Sequence, residues 1–128
     1  MLVVKNSYQQ KLLKQVGYFI DEFLNDEEIQ FCKQIFQSNF ANHQDVFYSS
    51  SFHEDFSLKK KVSDEILAKL SSKIEAKFSD YKLLGVSFLE KKANQNNPFP
   101  IHQVWTVTDE ESIVSLTIWI QLDDTTKN

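Results

Sequence analysis

Apolar residues recur along this chain with two different periods, and the change from one to the other near Tyr81 divides it. Upstream the spacing is helical. Tyr8 to Gln15 reads as a short helix closed by Gly17, and Tyr18 to Phe23 as a brief apolar strand. Asn25 is a good N-cap, Asp26, Glu27 and Glu28 suit the positive end of a helix, and Glu28 stands where an Asn-x-x-Glu capping box needs it. From there Ile29, Cys32, Ile35, Phe36 and Phe40 keep one face apolar. A second amphipathic helix follows from Val62, Ile66, Leu70, Ile74 and Phe78, with Leu67 beside them and Lys and Glu on the opposite face. Between the two helices, Asn42 to Phe56 keeps no period and is rich in Ser, Asn and Asp, which predicts a surface loop.

After Tyr81 the period becomes two. Leu84, Val86 and Phe88 alternate with Leu83, Gly85, Ser87 and Leu89, and an Asn-rich loop from Lys92 to Pro98 follows. The alternation is cleanest at the end, where Val114, Leu116, Ile118, Ile120 and Leu122 share one face and Ser115, Thr117, Trp119 and Gln121 the other. Helices first and strands afterwards predict an α+β layout, with a sheet covered by helices on one side.

Composition narrows the function classes. The chain has 128 residues, 41% apolar and 25% charged, with a formal net charge of −4, values ordinary for one soluble domain. Such a length buries about two-thirds of the surface of its unfolded state, and eleven Phe residues supply the core. The Lys59-Lys60-Lys61 triplet reads as a solvated helix start; no other block of like charge predicts a nucleic-acid or anionic-membrane partner. No run approaches a membrane span, and Met1 to Lys14 turns polar too soon for a signal peptide. The single cysteine, Cys32, lies on the apolar helix face and is expected to be a buried small hydrophobe in a cytoplasmic protein.

The candidate chemistry lies between the two strand-like stretches. In Pro98-Phe99-Pro100-Ile101-His102-Gln103-Val104-Trp105 one His stands on a short apolar strand, and His102 and Val104 point to the same face. A metal-binding pair at that spacing needs a donor where Val104 stands. Taken alone, His102 on an apolar strand reads as a satisfied core histidine before it reads as a ligand. His43 and His53 lie in the loop, either as exposed residues or as part of a lid over a site.

Pro100, His102, Gln103, Trp105, Thr106, Asp109 and Glu110, followed by Trp119, Leu122 and Asp124, together resemble the phytanoyl-CoA dioxygenase family of non-haem Fe(II)/2-oxoglutarate oxygenases. That family carries a Pro-x-His-Gln-Asp-Trp-[Ser/Thr]-x-x-Asp-Glu run and then a strand ending in Trp-x-Pro-Leu-x-Asp. Gly17-Tyr18-Phe19-Ile20 with Phe23-Leu24, and Phe88-Leu89-Glu90-Lys91, resemble the family's opening and its strand before the metal strand, so the likeness runs from about Tyr8 to Asn128.

The resemblance implies helices packed on the first strands of a double-stranded β-helix, a jelly-roll or cupin-like barrel. It implies a single incomplete domain over 1–128, with a mainly helical region to residue 80 and barrel strands with a partial metal motif from 81. Complete members hydroxylate a small molecule with Fe(II) while converting 2-oxoglutarate to succinate. Carried over residue by residue, His102 is the first iron ligand, Lys91 and Trp119 are candidate cosubstrate contacts, and Trp105 packs the barrel wall. Lys91 reads equally as a solvent-seeking strand end, and Trp119 as packing.

Two departures stand against activity. The family holds iron with a His-x-Asp pair and a distant His, with an Arg beyond for 2-oxoglutarate, whereas position 104 is Val and no later His or Arg follows. Neither Fe(II) nor 2-oxoglutarate is expected to bind this chain stably. Three readings follow: the N-terminal part of an Fe(II)/2-oxoglutarate hydroxylase; a halogenase-like variant with chloride in the carboxylate position, which the branched Val104 disfavours; and a non-catalytic remnant. Half a barrel exposes strand edges, and the remnant is expected to associate with itself or with a partner that supplies strands.

Overall fold

Asn6 opens the first helix because its side-chain oxygen accepts the free backbone N–H of Gln9 at 3.0 Å. The structure, a computed structural model, describes residues 2–93, 109 and 111–124. This helix, α1 (Ser7–Val16), ends at Gly17, whose φ of 83° directs its N–H back to the Leu13 carbonyl. The second helix, α2 (Asp26–Asn39), starts on the predicted capping box: Asn25 Oδ1 accepts from Glu28 N and Glu28 Oε2 accepts from Asn25 N, both at 2.9 Å. A 22-residue helix, α3 (Phe56–Lys77), is capped by Asp55 and stops at Phe78.

The core forms where two apolar stripes meet. Cys32, Ile35 and Phe36 of α2, with Phe40 just beyond it, pack with Val62, Ile66, Leu70 and Ile74 of α3. Cys32 is buried as expected, and burial, with the Glu28 charge second, pushes its thiol up. The Lys triplet falls in the first turns of α3, with Lys60 and Lys61 exposed. Val4, fully buried, faces Phe78 in an isolated antiparallel bridge.

The sheet has two short strands, β1 (Phe47–Ser49) and β2 (Leu89–Lys91), antiparallel with Tyr48 opposite Glu90. The pairing continues past the strand ends. Ser50 N donates to the Phe88 carbonyl at 2.9 Å, and Ser50 Oγ accepts from Phe88 N at 2.8 Å. Helices and a small sheet thus make an α+β arrangement.

Several expectations need correction. Tyr18–Phe23, residues 81–88 and residues 113–122 are not strands. Alternation assigns side chains to faces, but a strand exists only when another backbone lies alongside to complete the ladder. The Phe23 carbonyl instead accepts from Lys73 Nζ at 3.0 Å, and Val86 N donates to Ser63 Oγ, also at 3.0 Å. The predicted loop 42–56 holds β1 and a short 3-10 turn, Ser50–Phe52, and it buries Ser49 and Ser50.

Ion pairs fasten α3 to the first turn of α2 and to the chain before it. Lys73 Nζ lies 2.7 Å from Glu28 Oε2, and Lys77 pairs with Asp21, which also accepts from Gln9. Lys73 and the Asn25 N–H hold the Glu28 carboxyl below its ordinary value; Lys77 and Gln9 do the same for Asp21. Because both folded-state values are depressed, these groups stabilise the fold in full above the ordinary carboxylate range, and the contribution is lost as pH falls through the lowered values. Acid titration followed by circular dichroism is expected to show unfolding across that interval, and Glu28→Gln to flatten the slope. An unchanged slope would mean that neither the Lys73 pair nor the cap contributes.

Candidate functional site

One set of proton-exchanging side chains lies where the chain after α2 crosses the β1–β2 pair. Tyr48 and Glu90 are directly opposite in the ladder, and the turn after Phe40 brings His43 over them. The His43 ring stacks on Tyr48, with centroids 4.1 Å apart and planes 13° from parallel. Its Nε2 lies 2.8 Å from Glu90 Oε2. That contact lacks hydrogen-bond geometry: among the described residues neither ring nitrogen has a hydrogen-bond partner, and nor does the buried Tyr48 hydroxyl. Burial, with the Asp45 charge second, pushes the Tyr48 phenol up.

The walls of this cluster are apolar. Phe36 meets His43 and Tyr48 edge-on at 6.4 and 6.3 Å, and Phe40 meets Tyr48 at 6.3 Å. The His43 side chain is only 9% exposed, so the reading of an exposed loop residue does not describe it. His53 serves the backbone: its Nδ1 accepts from Asp55 N at 3.1 Å, and its ring packs edge-on against Phe40.

Chemically, an imidazole beside a carboxylate and a phenol can exchange protons, but a reaction also needs a cavity for substrate. Two clefts, of about 460 and 240 Å³, lie elsewhere. The larger contains Asp21, Glu22, Lys73 and Lys77; its lysines are already paired with carboxylates. The smaller lies between α1 and Val114 and is lined by Val3, Gln10, Leu13 and Lys14. Neither is lined by His43, Tyr48 or Glu90.

His102, Val104 and Trp105 lie outside the described residues. Lys91 ends β2 with its side chain exposed, and Trp119 is 74% exposed. Neither side chain makes a hydrogen bond, ion pair or ring contact among the described residues. Asp109 builds a turn: Oδ1 accepts from Glu111 N, Oδ2 from Ser112 Oγ, and its carbonyl from Ile113 N. Asp123 pairs with Lys33 of α2 at 2.6 Å.

A non-haem Fe(II) centre needs two His and one carboxylate on one face, with open positions beside them. Among the described residues no group of three His, Cys, Asp or Glu side chains converges for a metal. His43 is held against Glu90, His53 accepts a backbone N–H, and Val104 supplies no donor. Among the described residues no such set is assembled.

Gln10 carried no signal in the sequence, being a polar residue of a short amphipathic helix, yet it is 8% exposed. Its Oε1 accepts from Val3 N and Val4 N, each at 2.8 Å, and thereby seats Val4 in the core. The Tyr48–Glu90 pairing was equally hidden, because the residues that meet are far apart in the chain. No helix among the described residues is long and apolar enough to cross a membrane. Comparison of the chain with protein-family models, with curated proteins and with solved structures finds no match.

Proposed function

We propose that this chain corresponds to the N-terminal part of a phytanoyl-CoA dioxygenase-like protein, with helices packed over the first strands of a jelly-roll barrel, and that its 128 residues do not catalyse. The observation that carries the reading is the combined run Pro100, His102, Gln103, Trp105, Thr106, Asp109 and Glu110, followed by Trp119, Leu122 and Asp124. Three helices with a small antiparallel sheet agree with the α+β part of that fold. Loss of catalysis follows from the donor set: one family ligand, His102, remains, the carboxylate position holds Val104, and a lone imidazole does not retain Fe(II). Lys91 and Trp119 are the positions at which 2-oxoglutarate contacts would stand in a complete relative.

A second reading, a non-catalytic interaction protein, is favoured by the uncovered apolar side chains between Ile113 and Trp119. Two measurements test the proposal. After anaerobic incubation with Fe(II) and 2-oxoglutarate followed by gel filtration, the purified chain is expected to retain no stoichiometric iron; one iron per chain would overturn the loss of the site. Sequencing the native transcript through codon 104 and past codon 128 tests ancestry. A Gly-rich turn with a later His and Arg supports a dioxygenase, and Asp at codon 104 would restore its carboxylate. Val at codon 104 together with a stop after codon 128 leaves the interaction reading.

A further inference from the structure

Ser112–Leu122 carries no charged residue, but acids bracket it: Asp109, Glu110 and Glu111 before it, Asp123 and Asp124 after it. Along it every second residue from Val114 to Leu122 is apolar. Ile120 and Leu122 pack against the core, whereas Val114, Leu116 and Ile118 on the same alternating set stay 51%, 39% and 40% exposed. Among the described residues the backbone from Val114 to Ile120 has no hydrogen-bond partner.

Both ends are nevertheless secured. The Asp109 turn fixes the entry, Val114 lies by the cleft next to Leu13 of α1, and the Asp123–Lys33 pair ties the exit to α2. A stretch anchored at each end, apolar on alternate residues and, from Val114 to Ile120, unpaired along its backbone, is arranged to accept an added β-strand. We infer that Val114–Ile120 docks an apolar β-strand of a partner protein that carries basic residues at both of its ends.

Charge selects this occupant over a second copy. Antiparallel self-pairing centred on Thr117 sets Glu111 opposite Asp123 and Glu110 opposite Asp124, at both ends of the ladder. Parallel in-register pairing sets each acid against its own copy. Like charges directly opposite destabilise a strand pair and opposite charges stabilise it. Lys33 offsets Asp123 alone, and the chain as a whole is net negative. Acidic brackets of this kind oppose self-association of an exposed apolar strand while leaving it open to a basic-ended one. The inference stands without the dioxygenase ancestry, because it uses only residues 109–124.

The test uses the full chain and two labelled synthetic peptides with the same alternating Thr-Val core, one with Lys-Lys at each end and the other with Glu-Glu. Fluorescence anisotropy is expected to show the basic peptide binding at least about tenfold more tightly, as two reversed end pairs imply, with affinity falling as salt rises. Combined Glu111→Lys and Asp124→Lys substitutions are expected to reverse the preference. Leu116→Glu is expected to abolish binding without moving the thermal midpoint, since Leu116 lies outside the core. Equal affinity for the two peptides, no binding of the basic one, or a homodimer in sedimentation at the same concentrations would each overturn the inference.

Discussion

Phe36→Ala is expected to cost about 3–5 kcal/mol of stability, the range for deleting a buried aromatic ring. Phe36 is 9% exposed and joins the two parts of the fold: on α2 it faces the helical core, and its ring meets Phe88 at 5.4 Å, Tyr48 at 6.3 Å and His43 at 6.4 Å. Removing it opens a void that neighbours on three segments cannot fill together. Domains of this size are stable by about 5–15 kcal/mol, so the loss is a large share of the whole. Urea unfolding followed by circular dichroism should show a much lower midpoint with an unchanged slope. Phe36→Leu, which keeps most of the volume, should lose distinctly less. If Phe36→Ala costs under about 1 kcal/mol, the ring is not packed as described.

Gln10→Leu is expected to produce the second large loss, through unmet polar demand with no cavity. One side-chain oxygen serves the backbone N–H groups of both Val3 and Val4, and Val4 is fully buried. Leucine fills the space but accepts nothing, and each buried donor left unsatisfied costs about 1–3 kcal/mol. Hydrogen exchange should locate the effect, with protection lost first at the Val3 and Val4 amides and next at Lys5 and Ser79, whose N–H groups donate to the Lys77 and Val3 carbonyls across the bridge. Gln10→Glu keeps the acceptor oxygens and should retain more protection. Unchanged exchange at Val3 and Val4 in Gln10→Leu would show that the N-terminal segment is held by the Val4–Phe78 bridge alone.

The helical half was legible because its signals are local. Asn25 and Glu28 lie within one turn, Gly17 needs only its own φ, and the spacing by fours from Val62 to Ile74 places its side chains on one stripe whatever lies opposite. The strand-like half was legible only as alternation. Residues 113–122 show the cleanest period in the chain and form no ladder with the other described residues, because pairing depends on a neighbour that the period does not specify. Of the expected site, Lys91 and Trp119 are exposed and His102 lies outside the described residues. The imidazole that the fold does set beside a carboxylate is His43, placed in the sequence on a loop without a period.

By itself, then, the sequence determined which segments coil, the cap that starts α2, the glycine that ends α1, and which helix faces are apolar, all of which follow from contacts within a few residues. It also determined that position 104, on the same alternating face as His102, holds Val, which can donate nothing to a metal. Only the tertiary structure decided that Tyr48 meets Glu90, that His43 is drawn inward, and that Gln10 seats the N-terminal segment. It decided too that the apolar face of 113–122 is covered at Ile120 and Leu122 and left open at Leu116. These outcomes depend on residues distant in the chain competing for the same buried surface and the same hydrogen-bond partners, a competition settled when the α2–α3 core closes and the Phe47–Ser49 strand finds Leu89–Lys91.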